Sequence, residues 1–120
     1  MEAIVALGKA ISDPVRVRIL ALLLRSEACV CELVDALELG QSSVSSHLQT
    51  LRVAGLVKTD RRRNWVIYSL TEFGLNRIAP LLEGTRNEAM KTDMERFERR
   101  LGIRVDGCCV VGFVTTQKEA

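Results

Sequence analysis

The stretch from residue 29 to residue 70 constrains the fold most, because its punctuation permits few arrangements. It reads CVCELVDALEL, then Gly40, then QSSVSSHLQTLRVA, then Gly55, then LVKTDRRRNWVIYSL. Val30, Leu33, Val34 and Leu37 recur at helical spacing and predict a helix of about two and a half turns. Leu39-Gly40-Gln41 is the turn. Ser42 or Ser43 can cap the next helix, whose apolar positions Val44, Leu48, Leu51 and Val53 are expected to face inward. Gly55 supplies a left-handed stop. The apolar period then shortens to two. Leu56–Thr59 and Trp65–Leu70 predict a pair of strands joined across Asp60-Arg61-Arg62-Arg63-Asn64.

The flanks are helical. Ser12-Asp13-Pro14 places a capping side chain before a proline at the first helical position, and Val15, Ile19, Leu22 and Leu23 carry that helix to about Leu24. A shorter helix precedes it over residues 2–11, and Ser26-Glu27-Ala28 reads as a brief connection. Thr71 caps a last long helical region, kinked or restarted near Pro80, which lacks a backbone donor. Within it Met90, Met94, Phe97 and Leu101 fall at spacings of four, three and four among charged residues, the pattern of a dimer interface. Gly102 ends that helix. The expected architecture is mostly α with a small β-hairpin, a winged helix-turn-helix that is homodimeric through its terminal helices. It divides into a DNA-binding and dimerisation domain over 1–102 and a cysteine-containing tail over 103–120.

Charge distribution points to a partner. Aromatic content is 4%, so the core must be aliphatic, and the net charge is only +2. Yet residues 41–63 hold Arg52, Lys58, Arg61, Arg62 and Arg63 against Asp60 alone, giving that module +4 and the remainder −2. Gln41, Ser42, Ser43, Ser45, Ser46, His47, Gln49 and Thr50 supply short donors and acceptors suited to base edges and phosphates of double-stranded DNA. Arg52 adds charge to the same module, and Arg61, Arg62 and Arg63 would reach phosphates or the minor groove. The apolar runs are too short to span a membrane and no secretory leader is visible, so a cytoplasmic protein is expected. No Gly-rich phosphate loop appears and the sole histidine lies on the DNA-reading helix, which argues against an enzyme.

The remaining chemistry lies in four cysteines. In a reducing compartment they read as ligands or redox sensors rather than as a disulfide framework. Cys29 falls at or near a helix N-terminus, where backbone N–H groups favour a thiolate. Positions i and i+2 of a regular helix point about 200° apart, so Cys29 and Cys31 cannot both grip one ion from it. Either Cys29 precedes the first regular turn, or binding unwinds that turn. A disulfide among these cysteines is the redox alternative.

The motifs SDPVRVRIL, CVCEL, QSSVSSHLQTLRVAGLV and VIYSLT together resemble the ArsR/SmtB family of winged-helix, metal-responsive repressors, over about residues 8–80. The resemblance implies a homodimer that binds operator DNA and releases it when a ligand binds. A CVC pair at this position implies arsenite or antimonite held by three thiolates. In the arsenic pattern a third cysteine follows three residues after the second, and here that place is Val34. The third sulfur must then come from Cys108 or Cys109, in cis or across the dimer. With all four thiols engaged, cadmium, lead or zinc would suit the site. The family's other site, Asp and His on the terminal helix, lacks a histidine beside Asp93. No organic cofactor is expected.

Overall fold

The computed structural model describes residues 1–85, 87–105, 109 and 112. In chain order the elements are α1 (Glu2–Ala10), α2 (Pro14–Arg25), β1 (Ala28–Cys29), α3 (Val30–Leu37), α4 (Gln41–Val53), β2 (Val57–Arg62), β3 (Trp65–Leu70), α5 (Glu72–Leu82) and α6 (Glu88–Gly102). The expected architecture, mostly helical with a small antiparallel sheet in a winged helix-turn-helix, is the one observed.

Local chemistry sets the helix ends. Asp13 Oδ1 accepts from the N–H groups of Val15 (2.7 Å) and Arg16 (3.3 Å), and Pro14 occupies the first turn of α2. Partial burial pushes the Asp13 carboxyl up, but those two N–H groups, with His47 and Arg16 nearby, bring it net below its ordinary value. Ser12 serves the preceding helix instead, its hydroxyl donating to the Lys9 carbonyl. Helix α3 stops at Glu38, which takes the left-handed conformation (φ 55°). Helix α4 starts ahead of a serine cap: Gly40 is the N-cap and Gln41 the first helical residue, so Ser42 and Ser43 lie inside the helix. Val53 also departs from expectation. It lies nine positions after Val44, about 180° around the helix, and is 76% exposed while Val44, Leu48 and Leu51 are fully buried. Gly55 (φ 78°) ends α4 as expected.

The sheet has a third strand at the point where the expected connection, Ser26-Glu27-Ala28, meets Cys29. Ala28 and Cys29 pair antiparallel with Tyr68 and Ile67, making the strand order β1-β3-β2. Two residues are too few to show a period, so only the tertiary partner defines this strand. The hairpin itself is tighter than expected. Pairing runs to Arg62–Trp65, leaving a two-residue loop of Arg63 (φ 58°) and Asn64. Arg61 and Arg62 therefore belong to β2 rather than to the turn.

The core is aliphatic, with Ile19, Leu20, Leu22, Leu33, Leu48, Leu51, Leu56 and Ile78 buried around a single large aromatic, Phe97. Helix α5 runs through Pro80 and ends two residues later; the restart falls at α6, where Asn87 Oδ1 accepts from the Met90 N–H (3.0 Å). Helix α6 packs on α3 and α2. Phe97 is fully buried in this chain's own core, while Met90, Met94 and Leu101 are half-buried against it. The four-three-four spacing is thus met first by an intramolecular neighbour, because a helix stripe does not specify whether its partner is in the same chain.

A buried charge cluster pins α6. Asp93, 1% exposed, receives Arg18 through Nε (2.7 Å) and Nη2 (2.8 Å), and Arg96 through Nη2 (3.1 Å). Arg18 also donates to the Leu37 carbonyl and Arg96 to that of Ala36, so both arginines satisfy the C-terminal carbonyls of α3. Asp93 is accordingly a structural anchor.

Gly74 lets α5 lie directly against the Leu56 backbone. A Cβ there would overlap the Leu56 carbonyl oxygen, a backbone atom that cannot swing aside. Gly74→Ala is expected to cost about 1–3 kcal/mol through overpacking. Urea denaturation would register this as a lowered midpoint with an unchanged slope.

Candidate thiol centre and nucleic-acid interface

Three cysteines converge although they lie far apart in sequence. Cys29 is the N-cap of α3 with extended backbone (φ −85°, ψ 166°), and Cys31 lies in the first turn. The first of the two geometric options therefore holds: Cys29 precedes the regular helix, and its Sγ lies 2.7 Å from that of Cys31. Cys109 comes from beyond α6 to place its Sγ 3.5 Å from Cys31 Sγ. All three sulfurs lie within 4.8 Å of one another, and all three residues are buried. Cys108 lies outside the described residues. Trp65 and Ile67 of β3 form the apolar wall of the cluster.

Arginines that the sequence reading did not single out hold this centre. Arg104 forks onto Glu32 (Nε–Oε2 2.7 Å, Nη2–Oε1 2.8 Å) and donates to the Glu27 carbonyl (2.7 Å). Glu32 Oε1 in turn accepts from the Cys29 N–H (3.1 Å), so the acid both caps α3 and fixes the Cys29 backbone. The signal was available: an acidic residue three after the N-cap is a capping-box spacing, with cysteine in the place of serine.

Arg100, 3% exposed, sends Nη2 toward the sulfurs of Cys109 (3.5 Å) and Cys31 (3.7 Å) and to the Gly112 carbonyl (2.8 Å). Its Nη1 meets the Asp35 carboxylate at 3.1 Å, and its buried Nε has no partner among the described residues. Burial opposes the charge on Arg100, but Asp35 and the thiols of Cys109 and Cys31 hold its pKa above the ordinary value. The Cys29 thiol is pushed far up, first by its hydrogen bond to Cys31 and then by burial. The centre thus gathers three buried sulfurs, the donor set for a thiophilic ion.

The polar helix presents the other surface. Gln41, Ser42, Ser43, Ser46, Gln49, Thr50 and Arg52 are exposed on α4, and Ser45 and His47 are half-buried on its flanks. Thr50 turns its hydroxyl back to the Ser46 carbonyl. Arg61 and Arg63 are exposed on the hairpin, whereas Arg62 is drawn into ion pairs with Glu27 and with Asp60 (3.1 Å). That engagement makes Arg62 the least free of the three for a phosphate. No helix among the described residues is long and apolar enough to cross a membrane.

Two half-sites of a familiar kind are thus combined: a helix-turn-helix with a basic wing, and a thiol cluster at the start of its first helix. Residues 13–59 match the family described as bacterial regulatory protein, arsR family. Over 63 residues the chain is 46% identical to the arsenic resistance transcriptional regulator ArsR1 of Pseudomonas putida, covering 52% of this chain and 49% of that one. Over 78 residues it is 41% identical to the HTH-type transcriptional repressor SmtB of Mycobacterium tuberculosis, covering 65% and 58% respectively. The chain therefore spans about half the length of these curated relatives. Among solved structures it is similar to HlyU of Vibrio cholerae, with TM-score 0.63 and 38% identity over 68% of this chain and 90% of that one. The protein belongs to the arsR family of winged helix-turn-helix regulatory proteins.

Proposed function

We propose that the protein is a transcriptional repressor that binds operator DNA as a homodimer and releases it when arsenite or antimonite is bound by Cys29, Cys31 and Cys109. One observation carries this reading: three buried sulfurs from two distant segments within 4.8 Å of one another. The resemblance of the chain to an arsenic resistance regulator supports the ligand class.

Charge balance favours the metalloid over a divalent cation. Arsenous acid and three thiols exchange three As–O bonds for three As–S bonds and release three waters, with no redox change and no net charge left behind. A divalent cation on three thiolates releases three protons and leaves one negative charge to be buried. The pocket's two flanking arginines are already matched, Arg100 by Asp35 and Arg104 by Glu32. A neutral complex is therefore the cheaper occupant.

The same residues couple the centre to DNA. Cys29 stands opposite Ile67 of the wing strand β3 in the antiparallel β1–β3 pair, and Cys31 lies in the first turn of α3, which packs on the DNA-reading helix α4. Drawing the three sulfurs around one atom shifts β1 and α3 together, and with them the wing and α4. A coupling of about 1–3 kcal/mol between ligand and DNA suffices for induction. Dimerisation would cover the exposed Ile4 and Val5 of α1 and the apolar groove formed by Ala21, Leu24, Leu82, Met90 and Met94.

The test is fluorescence anisotropy of reduced protein on a labelled duplex selected from a random pool, titrated separately with arsenite, cadmium and peroxide. Release by arsenite at a few equivalents is expected. Release by cadmium alone would transfer the site to a divalent metal completed by a further thiol, and release by peroxide alone would make it a redox switch.

A further inference from the structure

Arg16 makes a contact that neither the thiol centre nor the core explains. Its Nε donates to the Ala10 carbonyl (2.7 Å) and its Nη2 to the Lys9 carbonyl (3.0 Å), so the guanidinium closes the C-terminus of α1. The Lys9 carbonyl also accepts from the N–H and hydroxyl of Ser12, and a cation at this end meets the negative end of the helix dipole. The remaining nitrogen, Nη1, lies 3.1 Å from Nδ1 of His47 on α4. One fixed side chain thereby joins the end of α1 to the flank of the DNA-reading helix.

The chemistry of the pair decides where the imidazole proton sits. A guanidinium carries only donors, so Nδ1 must accept, and the ring proton belongs on Nε2. Nε2 has no protein partner among the described residues and is not enclosed. His47 stands four residues after Ser43 and three before Thr50, on the same side of α4 as these two exposed hydroxyl residues.

We propose that Arg16 is a positioning residue that locks His47 as its neutral Nε2–H tautomer and aims that N–H at a hydrogen-bond acceptor on DNA. This rests on the DNA-binding reading above. The acceptor is an oxygen or nitrogen of the duplex, either a phosphate oxygen or a purine acceptor on a base edge. Arg16 itself stays with α1 and contributes orientation.

Because His47 is the only histidine in the chain, the tautomer can be read in the free protein without assignment ambiguity. Long-range nitrogen–proton NMR at alkaline pH is expected to show a pyrrole-type Nε2 and a pyridine-type Nδ1, and Arg16→Gln is expected to release the ring into a tautomer mixture. On DNA, His47→Gln places an amide N–H near the reach of Nε2 but lacks the ring acceptor that Arg16 holds, and is expected to bind between wild type and the shorter Asn variant. His47→Asn, whose amide reaches only as far as Nδ1, is expected to bind about tenfold more weakly. Arg16→Gln should weaken binding similarly, with Arg16→Gln/His47→Asn no weaker than either alone. Loss that is uniform across duplex sequences identifies a phosphate acceptor; loss of discrimination at one base pair identifies a base edge.

A wild-type Nδ1–H tautomer would overturn the proposal, as would equal affinities for the Gln and Asn variants or additive losses in the double variant. The expected tautomer with no DNA affinity in any form would instead bring down the DNA-binding reading, and the role of Nε2 with it. Circular dichroism of Arg16→Lys, which keeps the charge but not the fork, separates loss of the clamp from loss of the fold.

Discussion

Replacing Cys31 by serine is expected to abolish release of DNA by arsenite while leaving operator binding within about twofold of wild type. Cys31 is the central sulfur of the cluster, 2.7 Å from that of Cys29 and 3.5 Å from that of Cys109, so its loss leaves two sulfurs on separate segments. A coupling of about 1–3 kcal/mol corresponds to a change of roughly 5–150-fold in DNA affinity, and the whole of that change should vanish. The polar face of α4 is untouched by the substitution, and Arg100 can still donate to the Cys31 carbonyl (3.4 Å), which serine retains. Anisotropy titrations with and without arsenite measure both quantities in one experiment. Cys109→Ser should behave in the same way, because that residue supplies the sulfur from the far segment. Release that persists in Cys31→Ser would remove the cluster from the mechanism. Loss of operator binding without ligand would make the thiols structural.

Asp93→Ala is expected to destabilise the fold by about 3–5 kcal/mol. Asp93 is almost completely buried and compensates Arg18 and Arg96 together. Removing it leaves two guanidinium groups facing each other, one 23% and the other 17% exposed, without their shared anion. The same change loosens the arginines that satisfy the Ala36 and Leu37 carbonyls, so the end of α3 suffers as well. For a domain whose total stability is of order 5–15 kcal/mol, that is a large fraction. Thermal or urea unfolding followed by circular dichroism would show it. A loss below about 1 kcal/mol would mean that water reaches the arginines in the native state. Since α3 carries Cys31 and packs on α4, partial loss of this anchor should also reduce DNA affinity at temperatures well below the unfolding transition.

Asp93 also illustrates how a side chain's chemistry can be read correctly and its task still be undetermined. Its carboxylate lies on the terminal helix without the histidine that a metal site there would need, and its neighbours make it an anchor. Phe97 is similar. The spacing of Met90, Met94, Phe97 and Leu101 defines one face of α6, but the most buried member of that face meets its own chain. Met90, Met94 and Leu101, each half-buried, are the members of that face a second copy could still cover.

The sequence by itself determined whatever depends on a few consecutive residues. Asp13 before Pro14, the stop at Gly55, the apolar positions 44, 48 and 51 and the change of period at the hairpin are each satisfied by local dihedrals and hydrogen bonds. These sufficed for the helix-turn-helix and its wing, and for the family. The position of Cys29 ahead of its helix was one of two options that helix geometry alone left open. Tertiary structure decided the rest. Strand β1 exists only because β3 lies beside it. Cys109 reaches Cys31 across 78 positions, and Arg104 reaches Glu32 across 72. Such contacts carry no local signature. They follow from how the packed core sets α3, α6 and the following segment against one another, and no short stretch of sequence contains that sum.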